Sequence, residues 1–492
     1  MRGTATHTDR APVLVGIGTV ARHEEDYRRA LEPMDLMLEA VAAAGADAGA
    51  PTVLGAVQYI GVPQGRWNYR NPAGEIAAAI GADAVTTVLT TVGVLQQTLI
   101  GAACASIARG DIDTALIVGA DAGYRLLRAQ IAGATLTDRE QHDDPDLVLA
   151  PAEELRHPVE LRAGMKMPVG LYAIMESALR ARSGLTIAQH RDRLAELGEQ
   201  FSEVASGNPH AWHRKPLTAA QIRDASARNP MQAFPYTRNH CSTWNVDQAA
   251  ALLFCSSRRA KELGINESKC IYAVASTESN HMVPVAARAD LTTCCGAEVA
   301  GRAALAAADL SAQQLDLVDL YSCFPLAVEQ YAAALDLPLN RNLTVTGGMP
   351  FAGGPYNNYL LQATCRVAEL LREGRGRSAL ISCVSGVLTK QAYGVWSRAP
   401  GPHGFVQADV TDEVAKQVEV LEVLADYSGA AKIAGYTVLH GRDQKPRSVA
   451  LMDTPHGKRA LCTSEDEALV IRMQQEEFVN RTMQIENNVM LS

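Results

Sequence analysis

Short, wholly apolar runs alternate with alanine-rich stretches along the first part of the chain. The run Pro12-Val13-Leu14-Val15-Gly16-Ile17-Gly18 has the length of a strand and is apolar at every position, as a strand buried on both faces would be. Pro33 then opens MDLMLEAVAAAGADAG, where the alanine and leucine content and the closing glycine predict a helix. A second strand, VLGAVQYIGVP, follows almost at once. Apolar strands alternating with such helices predict an α/β sheet covered on both sides.

The pattern then repeats at a distance. Leu95 to Gly119 reads as a helix (LQQTLIGAACASIARG), a polar link and a buried strand (TALIVG). Leu361 to Gly386 reads in the same order: LQATCRVAELLREGRG, then SALISCVSG. A glycine-bearing turn precedes each helix, around Gly93 and around Gly347 to Gly354. Two such units suggest a duplicated α/β half, although any two helix–strand units look alike. The first half is expected over residues 1–270, interrupted by a polar, helix-rich insertion at about 121–245. The second half is expected over 271–397. Beyond Pro400 and Pro402 come the short alternating runs AAKIAGYTVLH, SVALMD, RALCTS, ALVIRMQ and RTMQIENNVML, separated by GRDQKP, TPHGK and SEDE. Five or six short strands here predict an antiparallel β-barrel at 403–492, similar to an OB fold.

Size and charge narrow the function. A chain of 492 residues, 47% hydrophobic, predicts two or three domains. A net charge of −9 without basic blocks argues against nucleic acid as a partner. No apolar run approaches the ~20 residues that cross a bilayer, and the start MRGTATHTDR has no apolar stretch of a secretion signal. The expectation is a cytoplasmic protein with no membrane contact. None of the ten cysteines forms a C-x-x-C pair, so buried reduced thiols and no bound metal are expected.

Several stretches together resemble the thiolase superfamily, especially thiolase-like proteins related to sterol-carrier-linked thiolases and often called acetyl-CoA acetyltransferases. They are PVLVGIG, LEPMDLM, NVDQAAALLF, VDLYSCFP and TVTGGMPFAGGP, and the resemblance covers about residues 10–397. It implies two βαβ-rich halves in a layered α/β/α/β/α thiolase fold, a loop domain in the first half, and a CoA thioester as ligand with no other cofactor. Thiolase chemistry needs a thiolate with its pKa pulled below ~8.5, a second base and oxyanion donors. The family supplies a turn cysteine, a histidine-aspartate-cysteine-phenylalanine motif, a G-H-P histidine and a C-x-G motif. This chain departs at each. Counting back from TALIVG through Gly110 puts Gly93 at the nucleophile position. Tyr321 and Ser322 stand where the family has histidine and aspartate, while Cys323 and Phe324 persist. Gly354 matches the G-H-P histidine. At Cys383-Val384-Ser385-Gly386 either Cys383 or Val384 holds the second thiol's place. Cys104 looks like a nucleophile in Cys104-Ala105-Ser106 but sits too near Gly110 for a helix to follow, among apolar neighbours, and reads as core.

What survives is backbone. The amides of Gly93 and Gly386 are candidate oxyanion donors, and loss of three side chains is expected to enlarge the cavity between them. Tyr321, Cys323 and Cys383 are the candidate catalytic side chains, with Tyr356 and Asn358 near the same mouth. His210, Trp212, His213 and Lys215 are candidate contacts for the CoA diphosphate and adenine. The leading expectation is an acyl-CoA-binding protein of lipid or steroid metabolism, inactive as a thiolase, with a protein partner or a second copy as its mate. The alternatives are an aldolase acting on CoA esters through Tyr321, and an acetyltransferase with Cys323 or Cys383 as relocated nucleophile.

Overall fold

Pro12–Ala21 forms the first strand because its alternate side chains meet apolar layers on both sides, and it seeds the sheet described by a computed structural model of residues 9–441 and 445–491. Most of the amino-terminal stretch and part of the GRDQKP turn lie outside the described residues. Strands β1 (Pro12–Ala21), β2 (Tyr59–Pro63), β3 (Thr86–Thr90), β4 (Thr114–Ala122) and β5 (Leu147–Leu149) precede a helical insertion that ends in β6 (Met231–Ala233) and β7 (Tyr236–Thr237). After β8 (Asp247–Ser256) come β9 (Ile271–Ser279), β10 (Leu317–Asp319), β11 (Ser378–Ser385), β12 (Lys390–Ser397) and β13 (Val406–Asp409). The second strand is shorter than its apolar run: Pro51–Ala56 turns as a 3-10 helix before β2.

The first half orders its strands β1-β8-β4-β2-β3-β5 and the second β9-β12-β11-β10. The halves join where Val13 and Leu14 of β1 pair with Tyr272 and Ile271 of β9. Helices Gln96–Arg109 and Tyr359–Arg372 each touch strands of both halves and form a central layer. Helix Pro33–Ala48 covers the outer side of the first half and Cys295–Ala307 that of the second. This is the expected layered arrangement. The central helices are mostly apolar because they are buried on most of their sides.

The carboxyl-terminal strands are β14 (Gly429–Leu439), β15 (Arg447–Asp453), β16 (Arg459–Ser464), β17 (Thr482–Glu486) and β18 (Val489–Met490). They close in the order β14-β15-β16-β18-β17 and back to β14, a five-stranded barrel. Two expectations need correction here. The run ALVIRMQ is not a strand but lies in helix Glu467–Gln475, because Asp466 caps it by accepting from Leu469 N–H (2.7 Å) and Leu469, Val470 and Met473 bury one helical face. Strand β13, inside the stretch expected to be barrel, instead pairs in parallel with β9 of the main sheet. The barrel also extends onto the insertion, where Leu439 pairs with Ala233. No described helix is long and apolar enough to cross a membrane.

Candidate functional site

The two central helices begin side by side. The Gln96 side chain carbonyl accepts the Leu360 N–H (3.0 Å), and its amide donates to Asn357 Oδ1 (3.2 Å), tying one helix start to the other. Each start carries the positive end of a helix dipole, so negative charge is favoured where they meet. The turn before the first helix holds Gly93 at φ +107°, a conformation that glycine adopts freely and other residues rarely do. A Cβ placed there would lie 2.7 Å from Pro151 Cγ and 3.3 Å from a Leu155 methyl.

A thiol nevertheless stands at this helix start. The sulfur of fully buried Cys383 receives the backbone N–H groups of Gln97 and Gln96. Burial outweighs those amides and pushes the thiol up to about 12, so the sulfur keeps its proton at neutral pH. Cross-strand pairing runs Cys383 to Ala392 to Glu278 across β11, β12 and β9. Facing residues in a sheet share a side, so Cys383 and Glu278 look at the helix across a small alanine. Glu278 accepts from Thr98 Oγ1 (2.6 Å) and Asn280 Nδ2 (3.3 Å), and burial raises its carboxyl above the usual range.

Lys390 lies on that same side, two residues before Ala392 and opposite Ser385. Its side chain donates to the Gly93 carbonyl (3.2 Å), and the residue is 5% exposed. Burial lowers its pKa, and the nearby charges of Glu153 and Glu278 only partly restore it. Neither Lys390 nor Glu278 was singled out from the sequence. The available signal was a charged residue at a core-facing position of the otherwise apolar run KQAYGVW.

The other expected residues divide. Tyr321 is half-buried and has Cys323, Cys383 and Tyr356 as its charge-bearing neighbours, so the structure does bring these candidates together. Burial drives its phenol well above the usual range, leaving an O–H donor and not a base. Cys323 is pushed up to about 12 by burial, which the nearby Tyr172 hydroxyl only partly opposes. Cys104 is buried in the first central helix with its thiol raised by burial, as a core residue should be. The cavity expected between Gly93 and Gly386 is refilled: Leu155 methyls lie 3.3 and 3.5 Å from the Cβ positions of the two glycines. The space beside Gly354 is also taken, by Ser242 Oγ. Asn358 is buried against Gly119, and the Tyr356 N–H donates to Asp121 (3.2 Å).

The expected CoA contacts do not form one surface. His210 pairs with Glu369 (3.2 Å), while buried Trp212 stacks on His23 with ring centroids 3.6 Å apart and takes the edge of Tyr124. That ring already has its stacking partner. His213 and Lys215 are exposed. Away from the helix starts, buried Glu176, His190 and Glu329 place ligand-type atoms within 4.8 Å of one another. His190 bonds Glu176 (2.8 Å), Tyr236 donates to Glu176, and Arg193 pairs with Glu329 (2.7 Å). Arg193 supplies the positive charge beside this cluster.

No family model matches the chain. An acetyl-CoA acetyltransferase of Methanocaldococcus jannaschii is 26% identical over 243 residues, which are 47% of this chain and 55% of that protein. The chain thus spans about half the length of the curated relative it matches. A monomeric SCP2-thiolase-like protein, STLP1, from Mycobacterium smegmatis superposes over 98% of this chain and 99% of its own, with TM-score 0.81 and 26% identity. An Ltp2–ChsH2(DUF35) aldolase superposes over 80% and 99% with TM-score 0.61; at 16% identity it shows the fold alone. With these likenesses and the layered halves, the chain belongs to the thiolase superfamily.

Proposed function

We propose that the protein binds a CoA thioester at the paired helix starts and does not carry out thiolysis through a nucleophile at position 93. The observation that carries this reading is the Gly93 turn: the helix start and its amides are kept, but the turn has no side chain and no room for one. Amides aimed at a thioester carbonyl stabilise oxygen charge whether or not a nucleophile follows. Calorimetry with CoA, acetyl-CoA and longer acyl-CoAs, beside a thiolysis assay with acetoacetyl-CoA, tests both halves of the proposal. Binding without thiolysis is expected. The absence of heat with every thioester removes the binding reading, and turnover removes the other.

A second reading, acyl transfer through a relocated thiol, is favoured by one observation, the amides of Gln96 and Gln97 on Cys383. It requires a burst of free CoA from acetyl-CoA that Cys383→Ala abolishes and Cys323→Ala does not. A thiol held near 12 makes that burst slow or absent at pH 7. Aldol chemistry through Tyr321, prompted by the aldolase fold likeness, demands retro-aldol turnover that Tyr321→Phe lowers. Its phenol enters only as a proton donor.

A further inference from the structure

We propose that Glu176 and Glu329 share a single proton, and that this proton holds the helical insertion against the second half. The inference goes beyond the thioester reading and stands whether or not a thioester binds. Four elements meet at the pair. Helix Pro168–Ser183 brings Glu176 and Arg180, helix Ile187–Gly207 brings His190 and Arg193, and β7 brings Tyr236. Those three belong to the insertion, whereas Glu329 comes from helix Pro325–Ala334 of the second half. That helix begins directly after Tyr321-Ser322-Cys323-Phe324. The Phe324 ring packs on Tyr172 and Tyr236, with centroids 4.5 and 5.7 Å away.

A count of donors locates the proton. Arg193 Nη2 donates to His190 Nδ1 (3.3 Å), so the neutral ring carries its hydrogen on Nε2 and points it at Glu176 Oε1 (2.8 Å). The Tyr236 hydroxyl donates to Glu176 Oε2. Both Glu176 oxygens therefore meet donors, as a carboxylate requires. Glu329 has Arg193 2.7 Å from Oε1 and no donor on Oε2 among the described residues. Glu176 is 0% exposed and Glu329 4%, so bulk water reaches neither. The charges agree. Arg180 is engaged by Glu477 and Tyr436, which leaves Arg193 to face two buried acids. A second negative charge there would lack a counter-ion, and a proton on Glu329 Oε2, shared with Glu176, removes it. Burial and the neighbouring carboxylate accordingly raise Glu329 well above the usual range, while burial pushes His190 down to about 4. Without the proton the two acids repel each other across the seam.

An unfolded glutamate gives up its proton near 4.5, whereas the folded pair keeps one at pH 7. Unfolding then releases a proton, so the stability it lends is whole below pH 4.5 and falls as pH rises. Urea titrations of the full-length protein at pH 5.5 and 7 read this, beside Glu329→Gln, Glu176→Gln and the double variant. Over that span the wild-type unfolding constant should grow about thirtyfold more than that of either single variant, or about 2 kcal/mol. Either substitution leaves one acid for Arg193, so the double variant should match the single ones. Parallel slopes in all four proteins mean that both acids are charged when folded, and overturn the proposal. So does a slope that each substitution halves and the double removes, which gives each acid its own proton. Carbon-13 labelling of wild-type glutamate decides if the variants do not fold: the two Cδ shifts should together report one protonated carboxyl at pH 7, and none or two overturns the proposal. Pulsed alkylation of Cys323 at pH 9.5 tests the hold on the seam, since thiol ionisation cancels between proteins. The wild type should react roughly tenfold faster than Glu329→Gln, with buried Cys104 alike in both. Equal Cys323 rates mean that the proton does not hold the seam.

Discussion

At position 93 the backbone and the chemistry make the same demand. Gly93 sits at φ +107°, and a Cβ there would press on Pro151 at 2.7 Å. Gly93→Cys is therefore expected to cost about 1–3 kcal/mol, read as a lower urea midpoint. It should not gain thiolysis, since a strained sulfur would stand beside Leu155 and not over the amides that Cys383 holds. An unchanged midpoint together with new turnover would show the turn to be a damaged thiolase site. His240 gives a cleaner pH signal. Its Nδ1 accepts from the Thr237 N–H (3.2 Å), and burial, aided by Arg191, pushes the imidazole down to about 3. The folded value lies below the ordinary 6.5, so the unfolded chain takes up the proton first. Stability from this group is whole above pH 6.5 and is lost as pH falls toward 3. Between pH 6.5 and 5 the wild type should lose about 2 kcal/mol more than His240→Gln does. Urea titrations at the two pH values read this directly, and parallel losses in both proteins would mean that the imidazole is charged when folded.

Among the elements, ALVIRMQ shows where pattern reading fails. Seven mostly apolar residues fit a strand or one face of a helix equally well. The choice was made one residue earlier, by Asp466 on the Leu469 amide. Asp466→Ala should lower stability by about 1 kcal/mol, and Asp466→Ser by a few tenths, by thermal melting. Equal losses would mean that packing of Leu469 and Met473, not the cap, holds the helix. Elsewhere the periods spoke plainly. Both central helices and the strands after them lie within a few residues of where the alternation put them, because runs buried on every side have no competing pattern. The site was legible only where it followed the duplicated turns: Gly93, Tyr321 and Cys383 were found, but Lys390 and Glu278 were not. Those two come onto one sheet face through the pairing of β9 with β12, which no local spacing encodes. Leu155 was invisible for a related reason, as a loop residue's position depends on what the sheet leaves open.

The barrel raises the question of whether the molecule is one cooperative body. Its first strand packs on insertion helix Pro168–Ser183, where Ser177 Oγ accepts the Tyr436 N–H (2.8 Å). Arg180 of that helix, 1% exposed, reaches Glu477 (2.9 Å) and the Tyr436 hydroxyl (2.8 Å) in the barrel. A buried guanidinium stripped of water is costly unless these partners are present, so the insertion needs the barrel as much as the barrel needs it. The four tryptophans, Trp67, Trp212, Trp244 and Trp396, all lie outside the barrel, while Cys462 is buried inside it. Unfolding can therefore be followed separately in the two parts. In urea, the tryptophan shift and pulsed alkylation of Cys462, located by mass mapping, should share one midpoint. Arg180→Met removes the charge and its hydrogen bonds to Glu477 and Tyr436 together, at an expected cost of about 2–4 kcal/mol, and leaves Glu477 to partly exposed solvation. Cys462 should then become reactive at lower urea than the tryptophan transition, because the seam has failed before either core. Two midpoints already separate in the wild type would mean that the barrel is an independent domain and that its contacts with the insertion are incidental.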